Sequence, residues 1–521
     1  MSSQSYYMND LDDLRSLESS TLNKKDTAIN ELNPEQNDTR RSTDLLLEDK
    51  YGIQTGFSKY WKKCTYGIRE YCKFIGPGFL IAVAYIDPGN YSTDLDAGSR
   101  FQYKLLFIVF LSNLFAVYLQ SLCIRLGSVT GMDLARNCRE HYNRYICWSF
   151  YVLAEIAIIA TDIAEVIGTA VALKILMHIP LVAGVVITIL DVLLVLIAWR
   201  PEGSMLSVRI FETAVALLVL VVAISFAVVL GRVHIGGAGT VFKGFLPSST
   251  VFSREGLYSS IGILGATVMP HSLFLGSGLV QTRLRDLDVR RGNYTPVGDC
   301  SDYRPTHETI KHSLTYSIVE VALSLFTFAL FTNSSILIVA GAVFYNTSGA
   351  DTSDLFSIYD LLKEYVSISC GRLFAVALLF SGMSAGYVCT IAGQIVSEGY
   401  INWNLRPWLR RVITRAIAII PCLVVSAAVG QSGLNQVLNA SQVCLSILLP
   451  FLTFPLVMFT CSRKVMRVVS DSTNEETGQL IRETHDYSLG WTMTIVTWAI
   501  WLFLTALNLL LIVWLGMGVS F

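Results

Sequence analysis

Asp87-Pro88-Gly89-Asn90 sits inside an apolar run that begins near Phe74 and reaches about residue 97. A carboxylate, a helix breaker, a flexible residue and a carboxamide are poor neighbours for lipid. Irregular backbone at membrane depth is tolerated only where protein or a cavity surrounds it. An ionisable residue at that depth marks function and needs a partner. A second interruption, Gly265-Ala266-Thr267-Val268-Met269-Pro270-His271, falls within the apolar run 256–281. Two broken apolar helices at corresponding positions of two halves are the sequence signature of a secondary-transporter site.

Composition agrees with a membrane setting. The 521 residues are 53% hydrophobic and 15% charged, whereas a soluble domain carries about 25% charged residues. The net charge of −1 is uninformative, because the position of the charges matters more than their sum. Eleven cysteines are scattered without a Cys-x-x-Cys pair or a disulfide framework. They read as small apolar packing residues.

Residues 1–50 are rich in Ser, Thr, Asn, Asp and Glu without apolar periodicity, which predicts a disordered cytoplasmic tail. No apolar core of a signal peptide precedes the first span, so that span is expected to act as the insertion signal. In the juxtamembrane segment 51–73, Lys59, Lys62, Lys63, Arg69 and Lys73 argue for a cytoplasmic N-terminus. Runs long enough to cross a bilayer fall near 74–97, 104–126, 147–175, 180–199, 210–231, 256–281, 312–342, 371–398, 412–430, 434–459 and 489–517. Basic residues cluster in alternate loops: Arg136, Arg139 and Arg144; Arg200 and Arg209; Arg283, Arg285, Arg290 and Arg291; Arg406, Arg410 and Arg411; Arg463, Lys464 and Arg467. Those loops are then cytoplasmic, and an odd number of spans puts the C-terminus on the far side. The loop after span seven, with the acceptor sequence Asn346-Thr347-Ser348, would lie on that far side too.

Spans one to five (74–231) and six to ten (256–459) read as two five-helix repeats, each opening on a broken helix. An odd repeat length forces opposite orientations, the inverted arrangement of LeuT-type carriers. Span eleven (489–517), rich in tryptophan (Trp491, Trp498, Trp501, Trp514), is an addition to which no chemistry is assigned. The expected fold is therefore an all-α polytopic membrane protein of LeuT type with about eleven transmembrane helices.

The breaks offer cation ligands. Asp87 supplies a hard negative oxygen, Asn90 a neutral carbonyl oxygen, and unwinding frees backbone carbonyls, those of Ala84 and Ala266. Met269 supplies a thioether. Calcium and magnesium prefer oxygen alone, so a mixed oxygen–sulfur site without thiolate suits a transition divalent such as manganese or ferrous iron. Affinity order by itself would not favour manganese over later metals.

Asp-Pro-Gly-Asn in span one with Met-Pro-His in span six resembles the natural-resistance-associated macrophage protein (NRAMP) family of proton-coupled divalent metal transporters. The similarity runs from about Gly76 to Met466. Further matching stretches are Thr161-Asp162-Ile163-Ala164-Glu165, Ala392-Gly393-Gln394-Ile395-Val396 and Ser441-Gln442-Val443. Gln281-Thr282-Arg283 and Arg291-Gly292-Asn293-Tyr294 are similar to the fungal Smf-type manganese transporters in particular. The resemblance implies metal ligation by Asp87, Asn90, Met269 and the Ala266 carbonyl, with Gln442 joining as the site closes. It also implies that Asp87 releases a proton when metal arrives. Many members carry a second histidine five residues after the first. Here that position is Gly276, which puts in doubt any role that depends on a histidine pair.

Glu155, Asp162 and Glu165 fall at spacings that place them on one face of span three. An acidic stripe inside a membrane reads as a proton relay; the alternative is a structural salt bridge with a buried arginine. His271, two residues beyond Met269, could titrate near neutral pH or cap carbonyls freed by Pro270. Asp191, Glu212 and Glu320 are lone acids expected to form helix–helix hydrogen bonds. His307-Glu308…His312 is one residue too long for a zinc-protease motif. No nucleophile, phosphate loop or closed zinc cluster suggests an enzyme or a bound cofactor. The expected partners are divalent metal ions, protons and the lipid bilayer, with no nucleic acid and no obligate protein partner. A metal sensor on the same fold is the rival reading, disfavoured because the sequence ends close to the membrane. A carrier of an organic substrate is disfavoured by the Asp-plus-Met site. The plasma membrane and an endomembrane look alike at this level.

Overall fold

The computed structural model describes residues 77–198, 205–295, 303–345, 355–402, 407–473 and 480–517, all within the unit Phe74–Phe521. The tail 1–50, the basic segment 51–73 and the acceptor site at Asn346 lie outside the described residues.

The first span is two half-helices, α1 (Pro77–Ala84) and α2 (Pro88–Phe101). It is followed by α3 (Leu106–Thr130), the short α4 (Leu134–His141) and α5 (Arg144–Met177). Next come α6 (Leu181–Ala198), α7 (Met205–Arg232) and the short α8 (Ala238–Gly244). The sixth span is again divided, into α9 (Arg254–Thr267) and α10 (Pro270–Arg290). The seventh joins α11 (His307–Ser324) to α12 (Leu330–Val343) through a π-turn over Leu325–Ala329. A surface helix α13 (Leu355–Tyr365) precedes α14 (Ile368–Ile401), α15 (Pro407–Ala428) and α16 (Gln431–Cys461). The last helix is α17 (Trp491–Gly516). Among the described residues, 8 helical runs are long and apolar enough to cross a membrane. The divided first span, α6 and the shorter α15 stand where the remaining expected spans fall.

Both divisions are built by the same local rule. Pro lacks an N–H and pushes the residue before it out of the helical region. Asp87 before Pro88 has φ −105° and ψ 166°, and Met269 before Pro270 has φ −79° and ψ 124°. Each proline then opens the second half-helix from its first turn, where its fixed φ suits the helix. Elsewhere the ends are capped by polar side chains: Asn143 accepts from the Ile146 N–H at 3.0 Å and Ser253 from the Gly256 N–H at 3.2 Å.

The core lies where α5 packs along α14, and α2 along α12. Small residues let these backbones approach. At Gly98 on α2 an added Cβ would fall 2.5 Å from the Leu337 carbonyl oxygen of α12.

Two features differ from the sequence-based expectation. The connection from α16 to α17 contains an antiparallel hairpin, β1 (Arg467–Thr473) and β2 (Leu480–Asp486), with Asp471 opposite Arg482. Secondly, span six does not end at 281. Its helix runs to Arg290, so Arg283 is not a loop residue but a helical one whose side chain is 11% exposed. It is tolerated there because it pairs with Glu320 at 3.4 Å and lies 3.9 Å from Glu212.

Candidate metal-transport site

The helical partner of an N–H at position 88 is the carbonyl of residue 84, and that of position 270 is the carbonyl of residue 266. Neither proline has an N–H to give, so the carbonyls of Ala84 and Ala266 lose their helical donors in the same way. The next two carbonyls of the first break are taken by side chains. Asn90 Nδ2 and Asn333 Nδ2 donate to the Tyr85 carbonyl at 3.2 and 3.1 Å, and Ser381 Oγ donates to the Ile86 carbonyl at 2.5 Å.

Asp87 caps α2. Its Oδ1 accepts from the Asn90 N–H at 2.9 Å and from Asn90 Nδ2 at 2.7 Å, while Oδ2 meets no donor among the described residues. Thr267, at the end of α9, gives its hydroxyl proton to the Ile263 carbonyl at 2.7 Å, and its Oγ1 lies 3.4 Å from Asn90 Oδ1, which sets the two breaks side by side. Gln442 of α16 lies against the same break: a Cβ added at Gly89 would sit 2.2 Å from its Nε2. Gln442 Oε1 has no hydrogen-bond partner among the described residues. Asp87, Asn90, Ala266 and Met269 are completely buried, and Ala84 and Gln442 are 1% exposed. The structure thus gathers Asp87, Asn90, Gln442 and the end of α9 at one place, with Ala84 closing α1 and Met269 heading α10.

The acidic helix α5 passes directly behind the first break, with Gly168 so close that an added Cβ would lie 2.3 Å from Pro88 Cγ. Asp162 and Glu165 are fully buried and share one guanidinium: Arg415 Nη1 lies 3.2 Å from Asp162 Oδ1 and 3.1 Å from Glu165 Oε2. Cys389 also lies within 4.8 Å of both acids, but the arginine already supplies the positive charge there. Glu155 stands two turns nearer the start of α5 and is partly exposed. The neighbouring Thr161 Oγ1 meets His271 Nδ1 at 3.2 Å, so α5 touches the second break through that threonine and histidine.

Three connections were not read from the sequence. Arg415 is the first. It sits in the apolar stretch Ile413-Thr414-Arg415-Ala416-Ile417, and a charge there calls for a buried partner. Gln120 of α3 is the second, donating from Nε2 to Tyr85 Oη at 2.9 Å and to Ser272 Oγ at 3.0 Å. A Cβ added at Gly276 would fall 2.0 Å from Gln120 Oε1, so a histidine at that position would displace this network. The third is Glu320, which accepts from the Gly78 N–H at 3.0 Å and from Arg283. The start of α1 is thereby fastened to α10 and α11, and through Arg283 to Glu212 of α7. The hydrogen-bonding role expected of Glu212 and Glu320 agrees with this network. The side chain of Asp191 lies outside the described residues.

The sequence matches the natural resistance-associated macrophage protein-like family over residues 78–481. It is 49% identical over 497 residues to the manganese transporter SMF1 of Saccharomyces cerevisiae, covering 86% of this chain and 86% of that protein. The iron transporter SMF3 of the same yeast is 50% identical over 403 residues, covering 77% of this chain and 84% of that protein. Among solved structures, the manganese transporter of Eremococcus coleocola superposes with a TM-score of 0.69 at 35% identity, covering 84% of this chain and 85% of that chain. Mhp1, a nucleobase-cation-symport-1 family transporter, superposes with a TM-score of 0.51 at 12% identity over 75% of this chain and 79% of that one. At that identity the likeness speaks for the LeuT-type fold alone.

Proposed function

Because the chain belongs to the natural resistance-associated macrophage protein-like family, we propose that it is a proton-coupled carrier of Mn²⁺, with Fe²⁺ and other transition divalents as further cargo. It moves them into the cytosol by alternating access about a midplane site, as a multi-pass membrane protein with a cytoplasmic N-terminus. The observation that carries this reading is the meeting of two proline-headed half-helices, where a buried carboxylate keeps one oxygen free of donors. In this reading Asp87 and Asn90 supply oxygen ligands, the carbonyls of Ala84 and Ala266 add neutral dipoles, and Met269 adds sulfur. Gln442 joins from α16. Protons leave by way of Asp87, His271, Asp162, Glu165 and Glu155. Cargo release to the cytosol needs α1 to part from Glu320, which holds its first turn and is itself paired with Arg283. The names of the relatives, two of which carry manganese and iron, support the choice of cargo.

Uptake of Mn²⁺ into proteoliposomes holding the purified chain, with internal pH recorded, tests the reading. An inward proton gradient is expected to accelerate uptake, and added Mn²⁺ to acidify the lumen. Binding without flux would overturn the carrier reading in favour of a sensor. Flux without acidification would overturn the coupling.

Met269→Ala is expected to raise inhibition of Mn²⁺ uptake by Ca²⁺ about tenfold, because oxygen ligands alone do not discriminate against a hard cation. Unchanged competition by Ca²⁺ would mean that the dimensions of the site, not sulfur, exclude calcium.

A further inference from the structure

Asp94 stands seven residues beyond Asp87 on α2, a spacing that returns it to the same helix face. At a rise of 1.5 Å per residue, the two positions are about 10 Å apart along the axis. Asp94 is 1% exposed, and neither of its carboxylate oxygens meets a hydrogen-bond donor among the described residues. The contrast with its neighbours on the helix is sharp. Asp87 receives two hydrogen bonds on Oδ1, and Asp96 holds Arg100 at 2.8 Å.

The surroundings of Asp94 follow from the contacts above and below it. One turn further on, Gly98 lies against the Leu337 carbonyl and Ala340 of α12. One turn back, Asn90 and Asn333 of α12 share the Tyr85 carbonyl. Asp94 therefore occupies the seam between α2 and α12, outward of the break. Asn333 commits its Nδ2 to Tyr85, while its Oδ1 is buried with no hydrogen-bond partner among the described residues.

A carboxylate buried in protein without donors is strongly disfavoured as a bare anion, and intramembrane acids of this kind mark ion paths. We propose that Asp94 is a second cation station in the outer half of the carrier. It holds a divalent cation, with Asn333 Oδ1 as a neutral oxygen ligand, before transfer to Asp87. This rests on the direction of transport proposed above. The station presents oxygen alone, so it is less selective than the midplane site, and calcium competes there.

Electron paramagnetic resonance of Mn²⁺ added to the purified full chain tests the proposal on the wild type, Asp87→Asn, Asp94→Asn and the double variant. Asp87→Asn is expected to retain Mn²⁺ binding that the double variant loses and that Ca²⁺ displaces. Asp94→Asn is expected to raise the Mn²⁺ concentration for half-maximal uptake about tenfold, equivalent to one charge-assisted contact, with little change in maximal rate. If Asp87→Asn binds no more Mn²⁺ than the double variant while the wild type binds it, the second station is overturned and the carrier reading stands. Absence of binding by the wild type would overturn both. Displacement of residual Mn²⁺ by Ca²⁺ in Asp87→Asn decides the question even if Asp94→Asn fails to fold.

Discussion

Asp87→Ala is expected to reduce Mn²⁺ uptake by at least about a hundredfold, a loss of roughly 2.8 kcal/mol or more at tenfold per 1.4 kcal/mol. Three functions disappear with this one side chain. The substitution removes the negative ligand of the proposed site, the group whose proton the metal displaces, and the N-cap of α2. The cap contribution is the smallest, about 1 kcal/mol, and it can be separated. Asp87→Asn keeps a side-chain oxygen in place to accept from the Asn90 N–H, a bond of 2.9 Å in the native protein. The carboxamide variant should therefore melt close to the wild type while transporting as poorly as the alanine variant. Removing one partner of a buried ionic contact costs about 3–5 kcal/mol, which is enough for the expected loss without any unfolding. Near-normal uptake by Asp87→Asn, measured in the proteoliposome assay, would remove Asp87 from the centre of the mechanism.

What could be read from the chain beforehand follows from which interactions are local. The breaks were legible because Asp87-Pro88 and Met269-Pro270 act on their own neighbours: proline denies an N–H and forces the preceding residue to be extended. The helices were legible because apolar length is a property of contiguous residues, and most ends agree within a few positions. Partnership is different. Arg415 and the acids of α5 are some 250 residues apart in sequence, and nothing in either stretch says which charge meets which. Arg283 reads as a loop charge because the uninterrupted apolar run stops near residue 281 and charges follow it. In the folded chain Glu212 and Glu320 let the helix continue past it. The hairpin between α16 and α17 was hidden for a related reason: its strands mix apolar and charged residues, so their pairing shows only in the register of Arg467–Thr473 against Leu480–Asp486. Gly276 is the reverse case. Its departure from the family pattern was visible, and the structure supplies the reason, since Gln120 fills the space a side chain would need.

Arg415→Ala is expected to destabilise the folded protein by about 3–5 kcal/mol, because it strands two buried carboxylates whose cation has gone. The effect should appear as a lowered melting temperature in detergent, together with loss of uptake. Stability and transport can then be separated by removing the stranded charges. Replacing a complete buried ionic group by well-packed apolar residues of similar volume is often neutral or even stabilising, so Arg415→Met combined with Asp162→Leu and Glu165→Met should recover the melting temperature. If the triad serves only packing, that triple variant will also recover proton-stimulated uptake. If Asp162 and Glu165 carry protons, it will remain folded yet lose metal-dependent acidification. The second outcome is expected on positional grounds. The acids occupy the helix that runs behind Pro88, and the residue before Asp162 meets His271, two positions past Met269. A helix that served only to brace α15 has no need to run against both breaks, as α5 does through Gly168 and Thr161, whereas a proton path must begin where the metal displaces the proton. Full recovery of metal-dependent acidification by the triple variant would reduce the acidic stripe to a structural element and move the search for the proton route to other residues.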